Sequence, residues 1–419
     1  MSQPYLIEKS LELYFQTMFV RVTSLLNNHP VRREVGGALA MPLRFGPAGV
    51  PLSCKGRTIV EGMDDITALG LETMEIQTVR TVTPQHFNEY WQAGILSWKS
   101  DFEMNMHGPY YADLLGDRRS RQRTLMKMET SLQAAKVINA RHITYHVGPY
   151  GERKSGRETN EHLANILQGV VERCRQLWGN EEDEIDYAAF PWVLENEPTL
   201  IGVETSGQQS LWGTLDEVLE VVNHVEGTVP VLNMAHIHAR GNGSLRTSED
   251  FGELFDQVRE QYGGKTFYCH FSGIEHRGGN AMHYTQLKKS DLKFEPLAEY
   301  LAEEGDWLDV TVISDSPLLE HDAMYMLQQY DKAKQKLLER RALEERRYKL
   351  ALEAGLDPAE LLAREQEQAR LRTGAVAEAA DVSTKKAETP AKEPAKTSKK
   401  PANNRIDFED EDEDEDDIF

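Results

Sequence analysis

"VPVLNMAHIHARG", residues 229–241, begins as a core strand and ends as a cluster of metal-capable side chains. Val229, Pro230, Val231 and Leu232 form an unbroken apolar run, the pattern of a strand buried on both faces. Asn233, His236 and His238 follow at once. Whether this ending is isolated or repeated decides the fold, because a repeated ending means that many strands deliver their last residues to one place.

It is repeated. Eight short, β-prone runs recur along the chain: "LRFGPAGV" from 43, "MEIQTV" from 74, "DFEMNMHG" from 101, "HITYHVG" from 142, "LIGVETSG" from 200, "VPVLNMAH" from 229, "FYCHFSG" from 267 and "LDVTVISDS" from 308. Helix-like stretches such as "TLMKMETSLQAAKVINA" and "TLDEVLEVVNHV" lie between them. Strands alternating with helices predict right-handed βαβ units and a parallel sheet. Eight units in roughly 290 residues is the size of a closed (β/α)8 TIM barrel, an α/β fold. A doubly wound open sheet is the alternative, but no glycine-rich phosphate fingerprint follows the first run.

The chain has 419 residues, 40% of them apolar, enough for a sizeable core. Its formal charge of -22 argues against a nucleic-acid partner until the charge is located: much of it lies in the last stretch, "IDFEDEDEDEDDIF". Cys54, Cys174 and Cys269 are widely spaced and odd in number, which fits a reducing compartment and no disulfide framework. No run approaches the roughly 18 uncharged residues of a membrane span. The expectation is a soluble, cytoplasmic, nucleoid-associated protein without membrane contact.

Four segments follow. Residues 1–41 are an N-terminal extension, read as an accessory helix or a start assigned upstream of Met41, and residues 42–330 are the barrel. Residues 331–372 are a charged helical extension that contains most of "YDKAKQKLLERRALEERRYKLALEAG". Residues 373–419 are a disordered tail, Lys- and Pro-rich and then acidic.

The strand-end residues carry the chemistry. They are His107, His146, Glu204, Asn233 with His236, His270 and Asp315, and His283 lies in the loop after the seventh run. The C-terminal strand ends of a TIM barrel converge on one mouth, where its site is built. One histidine there is ordinary rim structure, and one carboxylate can cap the next helix. Five histidines and two carboxylates together need a divalent cation to offset their burial. Imidazole and carboxylate without cysteine suit zinc, with manganese or iron as alternatives. The number of ligands points to two or three ions, an arrangement that stabilises the attacking and leaving oxygens of a phosphodiester.

Six motifs carry a family resemblance: "MHGPYYADLLG", "ITYHVGPYG", "IGVETSGQQSLWG", "VLNMAHIHARG", "YCHFSGIEH" and "VISDSPLLEHDA". In order and position they resemble the strand-end motifs of the endonuclease IV family, DNA repair enzymes on a xylose-isomerase-like TIM barrel. The opening "RFGPAGVPLSCKGRTIVEGMDDITALGLETMEIQ" resembles its archaeal-type branch. The resemblance implies a zinc site that hydrolyses the phosphodiester 5′ of abasic sites in damaged double-stranded DNA. It implies that His107 and His146 hold a first zinc and that Glu204, the central catalytic residue, bridges to a second completed by Asn233, His270 and Asp315. His236 and His283 would serve a third.

Departures accompany the resemblance. Asn233 stands where Asp is usual and Asp315 where Glu is usual, and Ala281 lies near the place of a further carboxylate, for which Glu275 or His276 are candidate substitutes. His238 reads as a supporting hydrogen-bond partner. A sugar isomerase or epimerase on the same barrel would use Glu204, Asn233, His270 and Asp315. A catalytically weak DNA-binding scaffold is a third reading. A monomer is expected. The acidic tail, ending in Ile418 and Phe419, resembles the partner-docking tip of bacterial single-stranded-DNA-binding proteins, which implies contacts with repair or replication proteins.

Overall fold

The structure is a computed structural model that describes residues 43–82, 86–100, 102–179 and 199–353. The N-terminal extension before 43 and the tail from 373 lie outside the described residues, as does the end of the charged extension after 353. The eight expected strands are present: β1 Leu43–Pro47, β2 Thr73–Gln77, β3 Glu103–His107, β4 Ala140–Tyr145, β5 Leu200–Glu204, β6 Thr228–Asn233, β7 Thr266–Phe271 and, after a hairpin, β10 Asp309–Ser314. They form one parallel sheet in the order β1-β10-β7-β6-β5-β4-β3-β2. The two edges approach each other closely. Glu72 N–H donates to the Phe45 carbonyl at 3.2 Å, and a Cβ on Gly46 would lie 1.8 Å from the Thr73 carbonyl oxygen. Glycine at 46 is what lets β1 and β2 meet, so the sheet is a nearly closed TIM barrel.

The helices are α1 Ile59–Ala68, α2 Phe87–Lys99, α3 Arg118–Val137, α4 Arg157–Gly179, α5 Leu215–His224, α6 Met234–Arg240, α7 Ser248–Gln261, α8 Glu295–Glu304 and α9 Glu320–Glu353. Local chemistry sets several starts. Thr58 with Glu61, Thr214 with Glu217, and Thr247 with Asp250 form capping boxes that satisfy the first N–H groups of α1, α5 and α7. Among the described residues no helix is long and apolar enough to cross a membrane. The chain divides after Arg341 into two units, and the described part of the second is the helical stretch Ala342–Glu353.

Period-two alternation divides the strand residues between two layers. Met74, Ile76, Met104, Met106, Ile143, Ile201, Val203 and Phe267 join the core beneath the helices. The alternate set turns into the barrel. It has a small apolar cluster of Val229, Val231 and Tyr268, and is otherwise polar: Glu75, Asn105, His142, Thr144 and Thr311 are all buried.

The loop after β7 differs from the expectation. It is a hairpin, β8 Gly273–Arg277 and β9 Asn280–Thr285. Gly278 and Gly279 turn it with φ of 57° and 76°, values that favour glycine. The Gly-Gly pair was the available signal. The hairpin docks on the loop after β5, where Ala281 N–H donates to the Gly207 carbonyl at 2.8 Å and Gln209 N–H to Asn280 Oδ1 at 2.9 Å.

A candidate metal centre at the strand ends

Glu204, the last residue of β5, is almost fully buried and is engaged by both carboxylate oxygens. Oε2 lies 3.2 Å from His107 Nε2 and 3.1 Å from His146 Nε2. Oε1 lies 2.9 Å from His270 Nδ1 and accepts from Asn233 Nδ2 at 2.8 Å. His270 Nδ1 is also 3.5 Å from Asp315 Oδ2, and its Nε2 is 3.0 Å from Glu75 Oε2. Two groups therefore meet at one carboxylate: His107, His146 and Glu204 on one side, and Glu75, His270 and Asp315 on the other. Within each, the ligand atoms lie within 4.8 Å of one another. A cavity of about 220 Å3 opens above them, walled partly by Tyr110 and Tyr284.

Burial and mutual charge set the protonation of these groups. Burial raises the Glu204 carboxyl, but His146, His270 and His107 outweigh it and hold it well below its usual range. Burial disfavours charge on His107, yet the hydrogen bond and charge of Glu204 raise it to about 9. His146, equally near the same oxygen, falls to about 4 through burial. Two imidazoliums 5.3 Å apart between ring centres repel, so one proton is retained and not two. His270 is raised well above its ordinary value, because Asp315, Glu75 and Glu204 outweigh its burial. Asp315 is pushed up to about 7 by burial, helped by Glu204 and Glu75. Protons on His107 and His270 thus do what a cation would do. Nitrogen and oxygen donors in buried groups whose charge is offset by exchangeable protons fit a divalent ion of the zinc type.

The structure treats the other expected ligands differently. Asn233 Oδ1 accepts the backbone N–H of His236 at 3.1 Å and caps α6. Its Nδ2 faces Glu204, Asp315 at 3.3 Å and the Tyr284 hydroxyl at 2.8 Å. A helix start needs an acceptor and carboxylates need a donor, so the amide oxygen is turned away from the cluster. His236 is also committed: Nδ1 donates to the Thr205 carbonyl at 2.8 Å, and Nε2 accepts from the Tyr284 hydroxyl at 3.0 Å. His283 is not brought in. Cross-strand pairing puts it opposite Glu275 on the outer face of the hairpin, 3.3 Å away, with the two side chains 62% and 65% exposed. Tyr284, the next residue, takes the inner face.

His238, His276 and Asp291 form a third group of ligand-capable atoms. His238 Nδ1 accepts the Leu245 N–H at 3.1 Å, so its hydrogen sits on Nε2, the nitrogen 3.4 Å from Asp291. His238 Nε2 thus faces the Asp291 carboxylate, which lies outside the two groups around Glu204. His276 likewise reaches Asp291, at 3.1 Å, and Glu275 faces His283, so neither substitutes for the carboxylate expected near Ala281.

Two residues at the site were not singled out from the sequence, Glu75 and Tyr284. Glu75 is a carboxylate in the middle of an apolar strand, flanked by Met74 and Ile76, and that placement was the signal. Tyr284 had none beyond the hairpin glycines.

The comparisons with known proteins agree with this architecture. The family described as xylose isomerase-like TIM barrel matches residues 63–330. An uncharacterized protein of Methanocaldococcus jannaschii is 24% identical over 294 residues, which is 69% of this chain and 97% of that protein. Among solved structures, a D-tagatose 3-epimerase-like protein is similar at 16% identity and a TM-score of 0.50, covering 70% of this chain and 99% of that one. Endonuclease IV from Thermus thermophilus is similar at 15% identity and a TM-score of 0.49, with the same coverage. At 16% identity and a TM-score of 0.50, the epimerase-like structure shares the fold alone. The match over most of the barrel shows the family, and the chain belongs to the xylose isomerase-like TIM barrels.

Proposed function

We propose that this chain is a metal-dependent phosphodiesterase of the endonuclease IV type, cutting damaged duplex DNA 5′ of abasic sites. One observation carries the reading: Glu204 presents one oxygen to the His107–His146 pair and the other to His270. A carboxylate shared in this way suits two neighbouring ions. His107, His146 and Glu204 Oε2 would hold one, and Glu204 Oε1, His270 and Asp315 the other. Bound there, the ions would supply charge for the phosphate oxygens and lower the pKa of a water. Asn233 and His270 keep the Glu204 carboxylate aimed at both groups. Tyr110 and Tyr284 wall the cavity above them. With His283 on the outer face of the hairpin, we read two ions here and not three.

The sugar isomerase or epimerase reading draws on a different observation. Glu204 and Asp315 are neighbouring carboxylates of unlike proton affinity, as an acid–base pair requires. Asn233, whose oxygen caps α6, drops out of the expected ligand sets of both readings. The deciding experiment incubates the full-length protein with duplex DNA bearing a single abasic site, with zinc and with chelator. We expect cleavage on the 5′ side that chelator abolishes and zinc restores. Zinc-loaded protein that leaves this DNA intact but interconverts keto sugars would overturn the proposal.

A further inference from the structure

Glu75 lies inside the barrel on β2 with no exposed surface. Its Oε1 accepts from Gln77 Nε2 at 2.7 Å, and its Oε2 takes His270 Nε2 at 3.0 Å and Thr144 Oγ1 at 3.4 Å. The carboxylate is thus anchored on two sides by neighbours on β2 and β4. An ionised carboxylate can only accept. When Nδ1 coordinates an ion, the hydrogen of His270 can sit only on Nε2, and Glu75 is the acceptor placed there. The lone pair is left on Nδ1, the nitrogen facing Glu204 Oε1 at 2.9 Å and Asp315 Oδ2 at 3.5 Å. Without an acceptor at Nε2, nothing on that side selects the tautomer or resists rotation of the ring.

We infer that Glu75 is a positioning residue that fixes the tautomer and orientation of His270, so that Nδ1 is presented to the ion shared by Glu204, His270 and Asp315. The inference rests on the two-ion reading above and deepens it. The hydrogen bonds of Glu75 go to Gln77, His270 and Thr144 and it does not line the open cavity, while only its charge reaches His107, so its effect should fall mainly on one ion. Losing an outer hydrogen-bond partner of a metal-bound histidine weakens metal binding about 10- to 100-fold.

The test titrates the full-length protein with zinc alone, followed by calorimetry, for the wild type, Glu75→Gln and Glu75→Leu. The side chain introduced by Glu75→Gln still offers an amide oxygen to Nε2–H once Gln77 reverses its own amide. We expect two zinc ions on the wild type and on Glu75→Gln, with affinities within about threefold of each other. Glu75→Leu should weaken the second zinc by about 10- to 100-fold and change the first by much less. Equal second-site affinity in the wild type and Glu75→Leu would overturn the inference alone, as would Glu75→Gln binding as weakly as Glu75→Leu. Fewer than two zinc ions on the wild type would overturn the two-ion reading and this inference with it. Should Glu75→Leu not fold, nitrogen-15 spectra of histidine-labelled, zinc-loaded wild type decide. Hydrogen on Nε2 of His270 supports the assignment, and hydrogen on Nδ1 refutes it.

Discussion

At the N-terminal ends of the strands, Arg44 and Arg141 face Glu103 and Asp309. Towards the C-terminal ends, the ion pairs of Glu75, Glu204 and Asp315 among the described residues are all with histidines. Both clusters lie inside the same barrel, and they neutralise buried charge in opposite ways. Arg141 lies 2.7 Å from Glu103 and 2.5 Å from Asp309, and Arg44 lies 3.6 Å and 3.4 Å from the same carboxylates. Guanidinium groups keep their protons throughout the accessible pH range, so that end is balanced permanently. The histidine end is balanced by protons that can leave, and a group that can release its protons can take up a metal ion instead. Permanent pairing holds one end of this barrel, and exchangeable pairing the end we propose as functional.

The largest effect should come from Glu204→Gln, which removes the charge common to both ligand groups. Metal-supplied stabilisation is worth several kcal/mol, so we expect cleavage of abasic DNA to fall on the order of 10^3-fold and zinc content to drop. Unchanged zinc content and rate would break the contrast between the two ends. Next is Arg141→Met, which removes the nearer of the two cations and leaves the buried Glu103 and Asp309 with Arg44 alone, at 3.6 and 3.4 Å. Denaturant unfolding should show a loss of about 3 kcal/mol, while cleavage per folded molecule stays within about twofold of wild type, the scatter set by ordinary context effects. A stability loss under 0.5 kcal/mol, roughly that of a neutral surface change, would remove the structural role.

The smallest effect is a difference in sign with pH. His107 has a folded value of about 9 against an ordinary 6.5, so its contribution to the metal-free fold is complete below 6.5 and is lost as pH rises through 9. Asp315, raised to about 7 from 3.8, contributes fully below 3.8 and loses its contribution as pH rises through 7. His146, lowered to about 4, acts in the opposite direction, but below 6.5. Metal-free protein should therefore unfold at lower temperature at pH 9 than at pH 7. Burial raises Glu103, but Arg141 and Arg44 outweigh it and hold it below its usual range, so its contribution is lost on acidification and not in this window. Zinc should abolish the alkaline loss, because the protons have already been displaced, and scanning calorimetry at the two pH values with and without zinc measures this. A metal-free midpoint that rises from pH 7 to 9 would refute the protonation scheme.

Much of this was legible from the chain. The eight runs are the eight barrel strands, because an apolar β-prone run bounded by turn residues has few other uses. His107, His146, Glu204, His270 and Asp315 could be proposed together because parallel strands in a barrel all end at one mouth. The hairpin was less legible: "GIEHRGGNAMHYT" is short and polar on its exposed face, and its Gly278–Gly279 turn is a weak cue between two long elements. Missing it placed His283 in a loop near the site, when strand alternation sends His283 outward and Tyr284 inward.

The sequence alone determined which strands exist, where each ends and which side chains alternate towards the barrel interior. Those are local properties, set by apolar periodicity and by the polarity of single residues. Tertiary structure decided what each polar group does there. Asn233 looked like a weakened ligand, but its oxygen caps α6 and its nitrogen ties Glu204 to Asp315. His236 looked like a ligand of a third ion, and what its Nε2 meets at the site is Tyr284, a residue brought there by the hairpin. Glu75 was not singled out from the sequence, and the fold sets it against His270 from far along the chain. A buried polar group takes its role from the partners that satisfy it, and those partners come from distant strands that only the folded barrel brings within 3 Å.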